Sequence, residues 1–224
     1  MDLQPRSNDI ASIKFCGLTR AEDARVAELL GASHIGAIFV DNSRRRVTPD
    51  TARLVFDAAG PDVMRVGVFS CSRLSEIGTI ARHTELDVVQ LHAVQSAMEI
   101  QALRNEFSGP VWAVLGVDAD RPRLPAGAAE IAEAADAVVF DTSAGGNTGG
   151  TGRTFGWAEL AADAHAIAGH RTIVLAGGLN PANVNEAVRI FSPAMVDVSS
   201  GVEQSPGIKD HDLMSAFANA VRSS

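Results

Sequence analysis

Short apolar runs rich in Val and Ile recur along the chain. Each is followed by a longer stretch in which Ala, Leu and Val return at helical spacing. The runs cover 12–16, 34–40, 63–69, 86–91, 111–117, 136–141, 172–176 and 195–199. The amphipathic stretches cover 20–30, 49–59, 73–82, 95–107, 126–134, 157–167, 181–191 and 210–221. The runs are nearly continuous in hydrophobicity, as expected of strands covered on both faces. Eight strand–helix units with a period of about 28 residues predict a parallel sheet with right-handed crossovers, and eight units are enough to close it. The pattern therefore predicts an α/β protein, a single (β/α)8 TIM barrel over 1–224, with 1–10 as a flexible amino-terminal extension. A doubly wound open sheet is the rival topology.

Composition narrows the function classes. Apolar residues make up 46% of the 224, enough for a sizeable core. The formal charge is −8 and no dense run of Lys or Arg occurs, which argues against a nucleic-acid partner. No stretch approaches the roughly 18–20 apolar residues of a membrane span, so no membrane partner is expected. Cys16 and Cys71 cannot form a multi-bridge framework and lack the grouped spacing of a zinc site. Both are expected to be reduced, in a soluble, cytoplasmic protein.

In a parallel barrel the reactive groups belong at the carboxyl ends of the strands. Those ends are polar here: Cys16-Gly17, Asp41 to Arg46, Gln90-Leu91-His92, Asp141-Thr142, Gly177-Gly178 and Asp197-Val198-Ser199-Ser200-Gly201. Gly177-Gly178 and Ser199-Ser200-Gly201 read as two halves of an anion cradle, because glycine lets backbone N–H groups approach a phosphate and hydroxyls add donors. Cys16, at a strand end before a glycine, should face the pocket and serve as base or nucleophile, with nearby cations raising its thiolate fraction. Asp141 follows Val138-Val139-Phe140, and a carboxyl among apolar neighbours has a raised pKa suited to a general acid. Cys71 has no acidic or histidine neighbour and reads as inert. One arginine of Arg44-Arg45-Arg46 could fork onto a substrate carboxylate. His92 has no second ligand at metal spacing, so no metal is expected. The loop 142–153 carries five glycines and reads as a ligand loop.

At these residues the chain resembles phosphoribosylanthranilate isomerase, the barrel enzyme family of tryptophan biosynthesis. The resemblance rests on Ile13-Lys14-Phe15-Cys16-Gly17-Leu18-Thr19, Ser43-Arg44-Arg45-Arg46-Val47-Thr48-Pro49, Val66-Gly67-Val68-Phe69, Val89-Gln90-Leu91-His92 and Phe140-Asp141-Thr142. It continues through Gly149-Gly150-Thr151-Gly152, Leu175-Ala176-Gly177-Gly178-Leu179-Asn180-Pro181, Val196 to Glu203 and Pro206 to Asp210. It implies an Amadori rearrangement of N-(5-phosphoribosyl)anthranilate, an aminoaldose, to the 1-deoxyribulose phosphate ketose, without cofactor or metal. By the same resemblance Asp141 would be the general acid and Cys16 the base. Arg45 would hold the anthranilate carboxylate, and Gly177, Gly178, Ser200 and Gly201 would bind phosphate with Gly150 closing over it. Gln90, His92, Asp197 and Ser199 join the expected substrate-binding set. Ala93, Ala113 and Gly156 depart from the family pattern at strand ends and loops.

Two rivals remain at this level: a histidine-pathway aldose isomerase, which looks like a two-Asp machine with an acidic residue where Cys16 stands, and a non-catalytic phosphate-ligand barrel. The expected partner is a small phosphosugar, and the expected assembly a monomer or weak homodimer.

Overall fold

A computed structural model describes residues 10–70, 74–92, 96–144, 147–148 and 154–224. The expected extension apart from Ile10, and also Cys71, Ala93, Gly150 and the neighbouring loop glycines, lie outside the described residues. Eight parallel strands form the barrel wall: β1 (Ser12–Cys16), β2 (His34–Ile38), β3 (Met64–Ser70), β4 (Val88–His92), β5 (Val111–Asp118), β6 (Ala137–Ala144), β7 (Thr172–Leu175) and β8 (Met195–Val198). Each pairs with the next in sequence, and β8 pairs with β1, so the sheet closes. The (β/α)8 barrel is what the chain forms, and the open-sheet alternative is excluded by that last pairing. Helices α1 (Ala21–Leu29), α2 (Pro49–Asp57), α3 (Leu74–Thr84), α4 (Ala97–Leu103), α5 (Ala128–Ala134), α6 (Trp157–Ala168), α7 (Val184–Phe191) and α8 (His211–Arg222) alternate with the strands.

Two apolar layers hold this together. The larger lies between strands and helices and contains Ile13, Phe15, Val89, Leu91, Val138 and Phe140 together with helical residues such as Phe56, Phe191 and Phe217. Phe15 of β1 meets Phe217 of α8 at 6.2 Å, and Phe140 of β6 meets Phe191 of α7 edge-on at 5.7 Å. The smaller fills the barrel with Val66, Val88, Trp112, Val114, Ala137, Val139, Val174, Ala176 and Met195. Strand side chains alternate between faces, and that alternation positions the site. With Ile13 and Phe15 outward, Lys14 and Cys16 point into the barrel; Gln90 follows Val88, Asp141 follows Val139, and Asp197 follows Met195.

Several boundaries differ from the pattern-based expectation for local reasons. The run at 86–91 becomes Val88–His92 because the Asp87 carboxylate accepts the Arg65 N–H at 2.7 Å, tying the residues before β4 to β3. Asp136 does the same for the Val111 N–H at 2.7 Å, so β6 begins at Ala137. Asp141 is not the last residue of its strand: pairing of Thr142 with Val117 and Ser143 with Asp118 carries β6 to Ala144, and Asn147–Thr148 then folds back antiparallel onto it. Helix α7 starts at Val184 instead of 181, because Asn180 and Asn183 side chains accept backbone N–H groups of the preceding turn.

Candidate active site

A cavity of about 600 Å³ opens at the carboxyl ends of the strands. Cys16, Asp141, Arg45, Gln90, His92, Gly177, Gly178, Asp197, Ser199, Ser200 and Gly201 all line it. Every expected site residue within the described part of the chain therefore shares one space, with Gly150 the sole member outside it. Among the described residues, no group of three or more His, Cys, Asp and Glu side chains is arranged to hold a metal ion.

Asp141 is buried at the cavity floor, and its carboxyl is pushed up to about 7. Burial is the main cause and the nearby Asp197 charge adds to it, while the Thr142 backbone and Lys14 pull the other way. A neutral carboxylic acid is thus available near neutral pH. Cys16 behaves differently from the expectation drawn from its neighbours. Burial pushes its thiol up, and the Lys14 cation opposes this without reversing it. The protonated thiol is therefore the major form near neutral pH.

Asp197 does not face the cavity alone. Its Oδ2 accepts a 2.7 Å bond from the fully buried Lys14 ammonium, so the pair sits inside the barrel beside both Cys16 and Asp141. Lys14 was given no role by the sequence reading, although its position two residues before Cys16 puts both on one strand face.

Arg45 lies on the loop after β2, and its guanidinium is forked onto Glu203, with Nε to Oε1 at 2.8 Å and Nη2 to Oε2 at 2.7 Å. Glu203 and Lys209 belong to a two-stranded hairpin (Glu203–Ser205 with Ile208–Lys209), and Lys209 Nζ donates to Glu203 Oε1 at 3.0 Å and to the Ser199 carbonyl at 2.9 Å. Burial alone would raise the Glu203 carboxyl, but Arg45 and Lys209 outweigh it and hold it below its ordinary range. Glu203 is a second residue the sequence reading left without a role. It stands 158 positions from Arg45, and no local signal joins them. Of the other two arginines of the run, Arg44 also borders the cavity while Arg46 pairs with Asp41 on the surface at 3.4 Å.

The two glycine loops meet each other. Gly177 has φ +86°, and a Cβ there would run into the backbone and hydroxyl of Thr142 in β6. A Cβ on Gly201 would strike the Leu179 carbonyl of the β7 loop. Small residues are thus needed for the two loops to close into one concave rim. Buried polar atoms without a protein partner, counted among the described residues, gather here. Gln90 Oε1, Asp197 Oδ1 and Ser199 Oγ belong to cavity-lining residues and Thr142 Oγ1 lies against Gly177, with only Trp157 Nε1 elsewhere. Buried polar groups are normally paired, so this concentration marks where a polar ligand would complete the structure. The departures Ala113 and Gly156 sit away from the cavity, one buried under the helices and one at the amino end of α6.

Residues 13–220 match the family model described as N-(5'-phosphoribosyl)anthranilate (PRA) isomerase. A relative of that name from Paramagnetospirillum magneticum is 39% identical over 213 residues, covering 94% of this chain and 96% of its own. The crystal structure of phosphoribosyl anthranilate isomerase from Thermotoga maritima superimposes with a TM-score of 0.83 at 32% identity, covering 96% of this chain and all of that one. A further structure of the enzyme, in complex with reduced 1-(o-carboxyphenylamino)-1-deoxyribulose 5-phosphate, gives a TM-score of 0.79 at 30% identity with the same coverage. The family match runs almost the whole length of the chain, and the relatives and the barrel fold cover it to the same extent: this chain belongs to the N-(5'-phosphoribosyl)anthranilate isomerase family.

Proposed function

We propose that the chain isomerises N-(5'-phosphoribosyl)anthranilate to 1-(2-carboxyphenylamino)-1-deoxyribulose 5-phosphate, the third step of the tryptophan branch from chorismate. The observation that carries this is the one cavity in which a thiol and a carboxyl pushed up to about 7 face the same space, rimmed by two interlocked glycine loops. Asp141 donates its proton to the furanose ring oxygen as the C1–O bond breaks, and the nitrogen lone pair forms the C1=N bond of the protonated Schiff base. The Cys16 thiolate removes the proton from C2; the C–H electrons form C1=C2 and the C=N pair returns to nitrogen, giving an enolamine. Loss of the enol proton with protonation at C1 yields the ketone. General acid and base roles of this kind require both groups within reach of one small molecule.

The rim of Gly177, Gly178, Ser199, Ser200 and Gly201 takes the phosphate, with Gly150 of the neighbouring loop. Arg45 takes the anthranilate carboxylate through the guanidinium edge that Glu203 leaves open. Gln90, His92 and Asp197 contact the sugar hydroxyls. Charge balance calls for no cofactor or metal in this scheme. We place the reaction in the cytoplasm, where a reducing environment keeps Cys16 a free thiol. The chain acts as one barrel domain, a monomer or weak homodimer; sedimentation at micromolar concentration tests the assembly.

Incubation of the purified protein with the aminoaldose, followed by chromatography of the ketose, tests the reaction. Turnover by the unmodified chain with loss of at least a hundredfold in Asp141→Asn and in Cys16→Ala is the expected result. Growth of a histidine auxotroph but not a tryptophan auxotroph on this gene would replace the assignment with the aldose isomerase of the other pathway.

A further inference from the structure

Lys14 is completely buried inside the barrel, and a buried ammonium is costly unless it is paired. Asp197 supplies one partner at 2.7 Å, but a single carboxylate oxygen accounts for only part of what three N–H donors offer. The Cys16 sulfur is a second neighbour of the ammonium. A Cβ on Gly36 of β2, across from Cys16 in register, would stand 3.0 Å from Cys16 Sγ and 3.3 Å from Lys14 Nζ, so thiol and ammonium crowd the same glycine. A side chain at position 36 would push one of them out.

The charges around the sulfur can be assigned one by one. On its own strand stands Lys14. On β8 stands Asp197, whose anion disfavours a thiolate. From the hairpin comes Lys209, and from the loop after β2 comes Arg45; the two share the single Glu203 carboxylate, and Lys209 also favours the thiolate, though less than Lys14 does. His34 on β2, its ring tilted against Trp112 at 5.1 Å, is held neutral near pH 7, pushed down to about 4 by burial and by Lys14. Lys14 is thus the cation that favours the thiolate most, and the one that crowds the same glycine as the sulfur.

We infer that Lys14 is the counter-cation of the Cys16 thiolate, held in place by Asp197 and admitted by Gly36, and is therefore a positioning residue for proton abstraction at C2. The inference rests on Cys16 acting as the base. In a site of low effective dielectric an adjacent unit charge counts for far more than in water, so the ammonium sets how much thiolate exists at a given pH. The same Asp197 anion that anchors Lys14 faces Asp141 and favours its protonated form. One ion pair thereby biases the base toward losing its proton and the acid toward keeping one.

The test reads the thiol directly and needs no substrate. In a Cys71→Ser background, the rate of Cys16 alkylation by iodoacetamide is followed by mass spectrometry across pH. Lys14→Met should lower the rate at least tenfold at pH 8 and move the profile up by at least one pH unit. Lys14→Arg should keep most of the wild-type profile, and Asp197→Asn should move it down, because it leaves the cation without a competing anion. The double variant Lys14→Met/Asp197→Asn, which buries no unpaired charge, should still show the upward move while its circular dichroism and melting transition stay close to wild type. An unchanged profile in the folded double variant, or shifts of the same sign in Lys14→Met and Asp197→Asn, overturns the inference and leaves Lys14 as a structural partner of Asp197. Absence of isomerase turnover with the opposite shifts intact would sink the functional reading, and with it the role at C2, while the charge coupling of Lys14 to Cys16 would stand.

Discussion

Burial acts on the two reacting groups in opposite mechanistic senses. It raises both pKa values, which suits Asp141 as an acid and handicaps Cys16 as a base. The active protonation state, Asp141 neutral with Cys16 ionised, is then a minor tautomer of the singly protonated pair, and the pair titrates with macroscopic values. Because the carboxyl sits at about 7 and the thiol above its ordinary range, kcat/KM should rise across pH 7 and fall only in the alkaline range where the thiol loses its proton. A rate that falls between pH 6 and 8 would contradict this. Stability carries the opposite slope. A carboxyl raised from 3.8 to about 7 binds more proton in the folded than in the unfolded chain between those values. Its contribution is therefore complete below about pH 4 and declines up to about 7, by at most about 1.4 kcal/mol per pH unit. Asp141→Asn should flatten the dependence of urea midpoints over that window, although it abolishes turnover.

At the scale of elements, connections matter more than strands. The hairpin after β8 carries Glu203 and Lys209 back to the loop after β2, so the arginine assigned to the substrate carboxylate is oriented by a segment far away in the chain. Glu203→Gln would leave Arg45 and Lys209 buried against a neutral amide. Breaking a buried ion pair from one side costs about 3–5 kcal/mol, and thermal melts should register that loss together with a KM raised more than kcat is lowered. The rim formed by the loops after β7 and β8 is equally dependent on one small residue. Gly177→Ala forces a side chain into a left-handed backbone and against Thr142; strain of this kind costs about 1–3 kcal/mol. The expected result is a lower melting temperature and weaker protection by inorganic phosphate, measured on the same sample. Equal phosphate protection in this variant would remove the β7 loop from the phosphate site.

For the whole molecule, closure of the β8–β1 seam brings the first strand of the chain beside the last. That seam joins Lys14 to Asp197 across 183 positions and brings the reactive groups of both ends of the barrel into one cup. Buried polar atoms at the cavity lack protein partners, so a ligand that supplies them should stabilise the barrel as a unit. Binding of the reduced ketose analogue at a hundred times its Kd should add about 2.7 kcal/mol to the unfolding free energy. Calorimetry of the holo and free chains checks this, and a melting temperature indifferent to the analogue would contradict the site.

Strand and helix order was legible because each element carries its own signal: a run covered on both faces, a helical repeat, a glycine or proline between them. The candidate reacting groups, Cys16 and Asp141, were legible because the fold class says where to look, at the carboxyl ends of strands. Sequence patterning also held the inward orientation of Lys14, one strand period before Cys16, though not its partner. What only tertiary structure decided were the pairings and their electrical consequences: Lys14 on Asp197, Arg45 on Glu203, Gly177 against Thr142, and burial raising the thiol that neighbouring cations alone would have lowered. These depend on distances between residues far apart in the chain and on the exclusion of water from between them. Neither quantity exists until the barrel has closed.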